Sequence, residues 1–433
     1  MEDFQPSVRS WHCLRSEAQE YELHTATIRC NIMRADSMTA KARQALVLAL
    51  LLGAVAAPLA RAQTFTVIHN FTGGSDGANP LAGFLIDGTT LYGTASSGGS
   101  SRHGVVFAMS ESGEQTVLHE FTGKTDGASP EGLLVMDKAG NLYGTTTLGG
   151  VSNAGTVFKV TRKGTETVLY SFKGKLDGAN PVAGLAIDKA GNLYGTTTKG
   201  GSSKDGTVFE LAVPKVTGGA WREEVLHSFG EDKDGAIPVA GVTLDASGNL
   251  YGTTSAGGTY GYGTVFQMTP SSSGWKESVL HEFELQSDGG VPYAGLVLDS
   301  KGDLYGAATD GGAGGASGGG TVFELTHAND DWKFTVLYRL SGWGISGSWR
   351  NLLLVSGKIY ASTHCDGTHN AGTVYELTDS GTTWTYKPLF VLNGSSDGMF
   401  SISNLVADSQ GNLYGTTLEG GAHGSGIVFK VTP

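Results

Sequence analysis

The sequence predicts an all-β fold, a seven-bladed β-propeller of four-stranded antiparallel blades. Three observations lead there. A block typified by GNLYGTTTLGGVSNAGTVFKV (140–160) recurs seven times, with its anchor at Tyr92, Tyr143, Tyr194, Tyr251, Tyr305, Tyr360 and Tyr414, so that successive spacings are 51, 51, 57, 54, 55 and 54. A period near 50 with strand-like content is the mark of a propeller or array. Each unit holds four short runs rich in Val, Leu, Tyr, Phe and Thr, separated by Gly, Asp, Asn and Ser. No stretch after residue 62 shows capped, helically spaced apolar residues.

In the second full unit the four runs are 131–137, 141–147, 155–161 and 166–172. The first run carries small residues early in most units, as in Ala82-Gly83, Ala183-Gly184 and Ala294-Gly295, which suits an innermost strand where blades converge on the axis. The fourth run is bulkier (TVLHEF 116–121, TVLYSF 167–172) and is expected outermost. Residues 64–71 have this outer character, whereas the last unit, from about 402, ends in a third-type strand at 426–432. The N-terminal strand is therefore expected to complete the last blade, which would remove the exposed edges of an open array.

Residues 38–62 read as a secretory signal peptide: Lys41 and Arg43, an apolar run from Ala45 to Ala60, and a small-x-small site at Ala60-Arg61-Ala62, leaving Gln63 as the mature N-terminus. Residues 1–37 match nothing else in the chain and are expected either to be untranslated, with the start at Met33 or Met38, or to be disordered. The remaining 63–433 form a single repeat domain with 22 Lys/Arg against 35 Asp/Glu. That acidity argues against nucleic acid and anionic lipid as partners. No membrane span is expected after signal cleavage, and the domain is read as a monomer. Cys365 is the one cysteine beyond residue 62, so stability must come from packing rather than an internal disulfide. Gly supplies 66 of these 371 residues at fixed places in each unit, which marks turns.

The G-N-L-Y-G-T-T, G-G, G-T-V-F order resembles the GloVer tandem repeat of exported bacterial proteins, over essentially all of 64–433. The resemblance implies a secreted or surface repeat protein and supplies no catalytic residues. It also implies a C-terminal anchoring signal in many members; this sequence ends at Val431-Thr432-Pro433 with no hydrophobic tail.

One face of such a propeller collects the GG…GT loops and the DG loops, with Asp76, Asp126, Asp177, Asp234, Asp288 and Asp397 recurring. Recurrence in nearly every blade favours turn chemistry over cation binding, and the dense oxygen spacing of a calcium loop is missing. The D-x-x-G-N-L-Y aspartates (Asp137, Asp188, Asp245, Asp408) read as hairpin turns on the opposite face, and the recurring His69, His119, His227 and His281 interchange with Tyr, which points to packing. The sixth unit departs most from the pattern. Its DG loop is SGWGISGSWRN (341–351), with Trp343, Trp349 and Arg350, and its next loop is HCDGTHNAG (364–372). Exposed Trp suits stacking on a sugar or a partner surface. His364, Cys365, Asp366 and His369 have ligand types that could hold zinc, but not a known zinc spacing. No metal or other cofactor is expected.

The preferred reading is an exported, non-catalytic binding or scaffold module for an extracellular carbohydrate or protein partner, using Trp343, Trp349, Arg350, His364, Asp366 and His369. It would be extracellular, periplasmic or surface-associated. A polysaccharide lyase or hydrolase using the loop face is the alternative, and a purely structural envelope protein is a third. The signal peptide makes a first prediction: intact-mass measurement of the exported protein should give a chain starting at Gln63, and a product retaining residues 38–62 would exclude cleavage there.

Overall fold

The computed structural model describes residues 63–433 apart from 217, 231–232, 313–317, 329–330 and 343–346. Every unit folds around its L-Y-G-T run. In blade two, Leu142–Thr146 pairs antiparallel with the innermost Val135–Met136 on one side and with Thr156–Val160 on the other, which pairs in turn with the outermost Glu166–Ser171. Six sheets built this way take their strands from 84–120, 135–171, 186–228, 243–282, 297–339 and 353–391. The fifth carries an added parallel strand, Gly311–Gly312. The seventh sheet joins 406–432 to the N-terminal strand Thr64–Asn70, which lies antiparallel to Ile427–Thr432 from Thr64 opposite Thr432 to Asn70 opposite Ile427. The expected seven-bladed propeller and its closure by the two ends of the repeat region are both present.

The first run of each unit is innermost, as expected, but far shorter than a seven-residue strand: only Val135–Met136 is paired within blade two. Its earlier residues leave the sheet to meet the neighbouring blades at the axis. A Cβ on Gly184 would lie 2.6 Å from the Leu133 carbonyl oxygen, so backbone of one blade abuts backbone of the next. The Gly of L-Y-G has a different cause. A Cβ on Gly144 would lie 2.6 Å from the Phe158 ring, which covers it from the third strand. Blade six solves the same contact with Ala361 against Tyr375.

The core lies between blades. Tyr143 and Phe172 of blade two pack with Leu193, Phe209 and Leu211 of blade three, and the other interfaces repeat this arrangement. Near the axis the interfaces are tied by hydrogen bonds. The Thr145 hydroxyl donates to the Ala183 carbonyl at 2.7 Å, Thr196 to Ala240 at 2.8 Å, Thr253 to Ala294 at 2.9 Å, Ser362 to Ser401 at 2.9 Å and Thr416 to Pro80 at 2.9 Å. This belt breaks at two interfaces. Thr94 in blade one has a buried hydroxyl without a partner, and blade five has Ala307 in place of the hydroxyl residue.

The recurring loop aspartates behave as turn residues. Asp126 accepts from the Thr122 amide at 2.7 Å and the Lys124 amide at 3.3 Å; Asp137 accepts from the Ala139 and Asn141 amides at 2.8 and 2.9 Å, and from the Tyr143 hydroxyl at 2.9 Å. The outer-strand histidines do more than pack. His227 Nε2 lies 2.7 Å from Asp234 and His281 Nε2 2.9 Å from Asp288, while the Tyr170 hydroxyl donates to Asp177 at 2.9 Å. In these three blades His and Tyr make the same bond, whereas His69 and His119 stand 3.6 and 3.7 Å from Asp76 and Asp126, beyond hydrogen-bond distance.

Four residues before that position, which is Phe390 in blade six, each outer strand contributes one side chain to the outer interface. Gln115 donates to the Asp76 carbonyl at 2.8 Å. Its counterparts Glu166, Glu223 and Glu277 are half-buried, and burial, with Asp126, Asp177 and Asp234 adding repulsion, pushes each carboxyl up to about 7. The next three interfaces are aromatic: Phe334 stacks on His281 at 3.6 Å, Tyr386 on Tyr338 at 5.4 Å and Phe65 on Phe390 at 3.8 Å.

Two predictions follow from these contacts. Deleting 64–70 should expose the Ile427–Thr432 edge and leave Phe390 unstacked, so the truncated protein should aggregate or melt at least 10 °C lower by calorimetry, on the order of a lost strand in a closed ring. Unchanged melting would overturn the closure argument. The raised glutamates set a pH dependence. The folded chain keeps these protons between about 4.5 and about 7, where the unfolded chain has lost them, so stability falls as pH rises through that window and stays lower above it. Glu166→Gln, Glu223→Gln and Glu277→Gln, which copy Gln115, should each add about 1 kcal/mol at pH 8 and nothing near pH 4.5, measured by denaturant melts at both values.

Candidate functional site

Blade six builds its irregular surface from two adjoining loops. The chain descends through Ser348, Trp349, Arg350 and Asn351 into the inner strand Leu353–Val355, and returns through 363–372 between Lys358–Ser362 and Thr373–Asp379. The His364 amide donates to the Gly347 carbonyl at 3.3 Å, which fastens the loops together. The Trp349 ring lies 4.5 Å from the His364 ring at 29°, and His364 lies 4.8 Å from Phe400 at 25°. On the other side Trp349 meets Tyr293 at 4.8 Å and 44°. The four rings form one row, Tyr293–Trp349–His364–Phe400, running over blades five, six and seven.

His364 stands where other blades have a hydroxyl that bonds across the loops, as Thr198 does to the Asn180 carbonyl at 3.0 Å and Ser255 to the Ile237 carbonyl at 2.9 Å. Its Nδ1 is buried with no partner among the described residues. Burial pushes its pKa down to about 4, so at neutral pH the ring is an uncharged aromatic. Phe400 occupies a position that is Asn79 and Asn180 elsewhere, where the amide side chain bonds to a loop carbonyl at 3.0 Å. Replacing that amide by a phenyl frees the position for stacking.

Arg350 lies at the axis. The equivalent residues of the other six blades are Ala82, Gly132, Ala183, Ala240, Ala294 and Ser403, so one guanidinium enters a ring of small side chains. Its Nε donates to the Ile402 carbonyl at 3.2 Å. Arg350 and Glu131 line an axial cavity of about 80 Å³ together with Ala82, Ala183, Ala240 and Tyr293. Among the described residues no ion pair within 4.0 Å joins the two. Burial raises the Glu131 pKa against the opposing charge of Arg350, and burial lowers that of Arg350 against Glu131. Arginine nonetheless keeps its charge. Tyr293 belongs to both the cavity and the aromatic row, so the two features are continuous.

The other sequence candidates are placed apart from this row. Asp366 accepts from the Thr363 hydroxyl, and burial raises its pKa. Cys365 is a free thiol whose pKa is raised by burial and by Asp366, which disfavours the thiolate. His369 is exposed, with its Nδ1 3.0 Å from the Thr368 hydroxyl. Among the described residues no three His, Cys, Asp or Glu side chains are arranged to hold a metal ion. Trp343 lies outside the described residues. Sequence reasoning passed over Tyr293, Glu131 and Phe400. A signal for two of them was available: Leu81, Glu131, Val182, Val239, Tyr293, Trp349 and Ile402 share one repeat position, and Glu131 and Tyr293 stand out there as Trp349 does.

Comparison with known proteins now adds a family. The model of the Gloeobacter/Verrucomicrobia repeat matches residues 53–209, 165–343 and 244–433. The chain belongs to this repeat family. No curated protein matches the chain. Among solved structures, it is similar to the extracellular domain of a hybrid two-component system from B. thetaiotaomicron, at 12% identity and TM-score 0.50, covering 86% of this chain and 41% of that one. The chain thus spans less than half the length of that protein. An ulvan lyase of polysaccharide lyase family PL25 matches at 12% identity and TM-score 0.50, over 84% and 95% of the two chains. Puromycin hydrolase matches at 12% identity and TM-score 0.51, over 79% and 50%. At these identities the likeness is one of fold.

The stacked, buried imidazole makes a prediction. In a pH titration followed by NMR, the His364 ring resonances should move near pH 4. Because the unfolded ring protonates near 6.5, the protein should lose stability as pH falls between 6.5 and about 4, and His364→Phe should reduce that loss. A midpoint near 6.5 would show the ring to be solvated rather than packed.

Proposed function

We propose that the protein is an exported, non-catalytic propeller that holds an extracellular polysaccharide on its loop face. The observation that carries this is the aromatic row Tyr293–Trp349–His364–Phe400, which breaks the repeat at a rigid surface made by three blades. Apolar rings beside polar groups suit a pyranose, with its C–H faces and hydroxyl edges, and the ring–ring contacts that hold the row in place are worth roughly 0.5–1.5 kcal/mol each. The non-catalytic reading rests on how the titratable groups are used. His364 is an uncharged stacking ring, Asp366 is held by Thr363, and Cys365 favours its thiol form. Export rests on the signal sequence at 38–62.

The test is a thermal-shift and affinity-electrophoresis screen of the purified protein against soluble polysaccharides, beside Trp349→Ala, with product release followed in the same samples. At least one polysaccharide should raise Tm and retard the parent protein, with an effect tenfold weaker in the variant, since a ligand stabilises only through the folded state it binds. Release of reducing ends or of unsaturated products would replace this reading with the lyase or hydrolase alternative. Absence of binding throughout would leave a protein partner or a structural envelope role.

A further inference from the structure

The axial pair has no scaffold reason to exist. The hydroxyl belt breaks at two interfaces, one leading into blade two and the other into blade six, and those blades carry Glu131 and Arg350. Among the described residues the guanidinium has one hydrogen bond, from Nε, and it lines with the Glu131 carboxyl a cavity otherwise walled by Ala, Leu and Val side chains, glycine backbone, Tyr293, Asn351 and Asn404, of which Asn351 Oδ1 already accepts from the Gly295 amide. Burying a charge this way is costly unless a partner satisfies it.

We propose that this cavity is a polar subsite for one edge of a neutral sugar unit, taking two vicinal hydroxyls while the ring of that unit or its neighbour rests on the aromatic row. The inference rests on the carbohydrate reading above and adds the class of sugar. A hydroxyl pair is matched to the site because each hydroxyl both accepts and donates: Arg350 donates to one oxygen and the Glu131 carboxylate accepts from the other. The volume of about 80 Å³ holds a diol edge or a few waters, not a whole pyranose. Access from the row is direct, because Tyr293 lines the cavity and touches Trp349. An acidic sugar is disfavoured. Its carboxylate would gain Arg350 but meet Glu131 in the same small space, within a domain of 22 Lys/Arg against 35 Asp/Glu.

The test compares two oligomers that share linkage and ring configuration and differ at C6 alone: β-1,4-mannohexaose and β-1,4-hexamannuronate. A second matched pair, cellohexaose and the hexamer of β-1,4-glucuronate, is run in parallel. Binding is measured by calorimetry at pH 7.5 and 150 mM salt for the parent protein and for Trp349→Ala, Arg350→Ala, Glu131→Ala and Glu131→Gln. The neutral member of at least one pair should bind at least tenfold tighter than its acidic partner. Arg350→Ala and Glu131→Ala should each weaken neutral binding at least tenfold, and Glu131→Gln should narrow the neutral-to-acidic ratio by raising affinity for the uronate. Should Arg350→Ala fail to fold, the two Glu131 variants carry the test. Tighter binding of the uronates, or neutral binding that depends on Trp349 and is untouched by the Glu131 variants, overturns the subsite and leaves the carbohydrate reading standing. No binding of any of the four oligomers, together with no polysaccharide hit in the wider screen, overturns both.

Discussion

A side-chain hydroxyl reaching from one blade to the inner carbonyl of the next is the contact on which the rest of this ring depends. The inner strands have only two or three paired residues in six of the seven blades, so their remaining carbonyls near the axis need partners from elsewhere. The first Thr of the G-T-T run supplies that partner in four blades and Ser362 supplies it in a fifth. The neighbouring residues follow from this geometry. Tyr before the Gly bonds back to the hairpin Asp, Gly makes room for the third-strand Phe, and small residues at the axis let the accepting carbonyl come close. One short motif therefore fixes strand spacing, hairpin turn and blade-to-blade contact together.

The candidate site arises where that requirement is relaxed. Blade five lacks the donor, and blade six responds with Arg350 at a position otherwise reserved for small side chains. The same loop places Trp349 beside His364, and the substitution of Phe400 for a bonding Asn extends the row. None of these exchanges improves the scaffold. Arg350 buries charge, and His364 leaves Nδ1 without a partner in place of a bonded hydroxyl. A repeat protein gives up local stability in this way when a surface is put to use, because the other blades hold the frame rigid.

The outer interfaces show a second gradation. One position runs from Gln115 through three raised glutamates to Phe334, Tyr386 and Phe65, so this position is polar over blades one to four and aromatic over blades five to seven. The aromatic residues at this position and the aromatic row fall in the same three blades. The stacked rings at 3.6 and 3.8 Å bring tight packing to the sector that bears the candidate site, and the titrating interfaces lie away from it.

The sequence by itself determined the blade count, the order of strands within a blade and the closure, because each is written in the repeats: the Tyr spacing, the four runs, and a repeat region that opens on an outer-type strand and closes on a third-type one. It also located blade six as the departure from the pattern and set Trp349 beside His364 on one face. Tertiary structure alone decided which departures meet. Glu131 is more than two hundred residues from Arg350, yet convergence of the inner segments puts both on one cavity. Phe400 belongs to the loop entering blade seven and Tyr293 to the loop entering blade five, and the ring curvature lays them on either side of blade six. Asp366 and His369, close to His364 in sequence, fall outside the row because the loop turns one inward to Thr363 and carries the other into solvent. A repeat states what each blade shares with the others, and its period is visible along the chain. A site at the axis is a contact between blades, and its members are brought together by the closed ring rather than by their order.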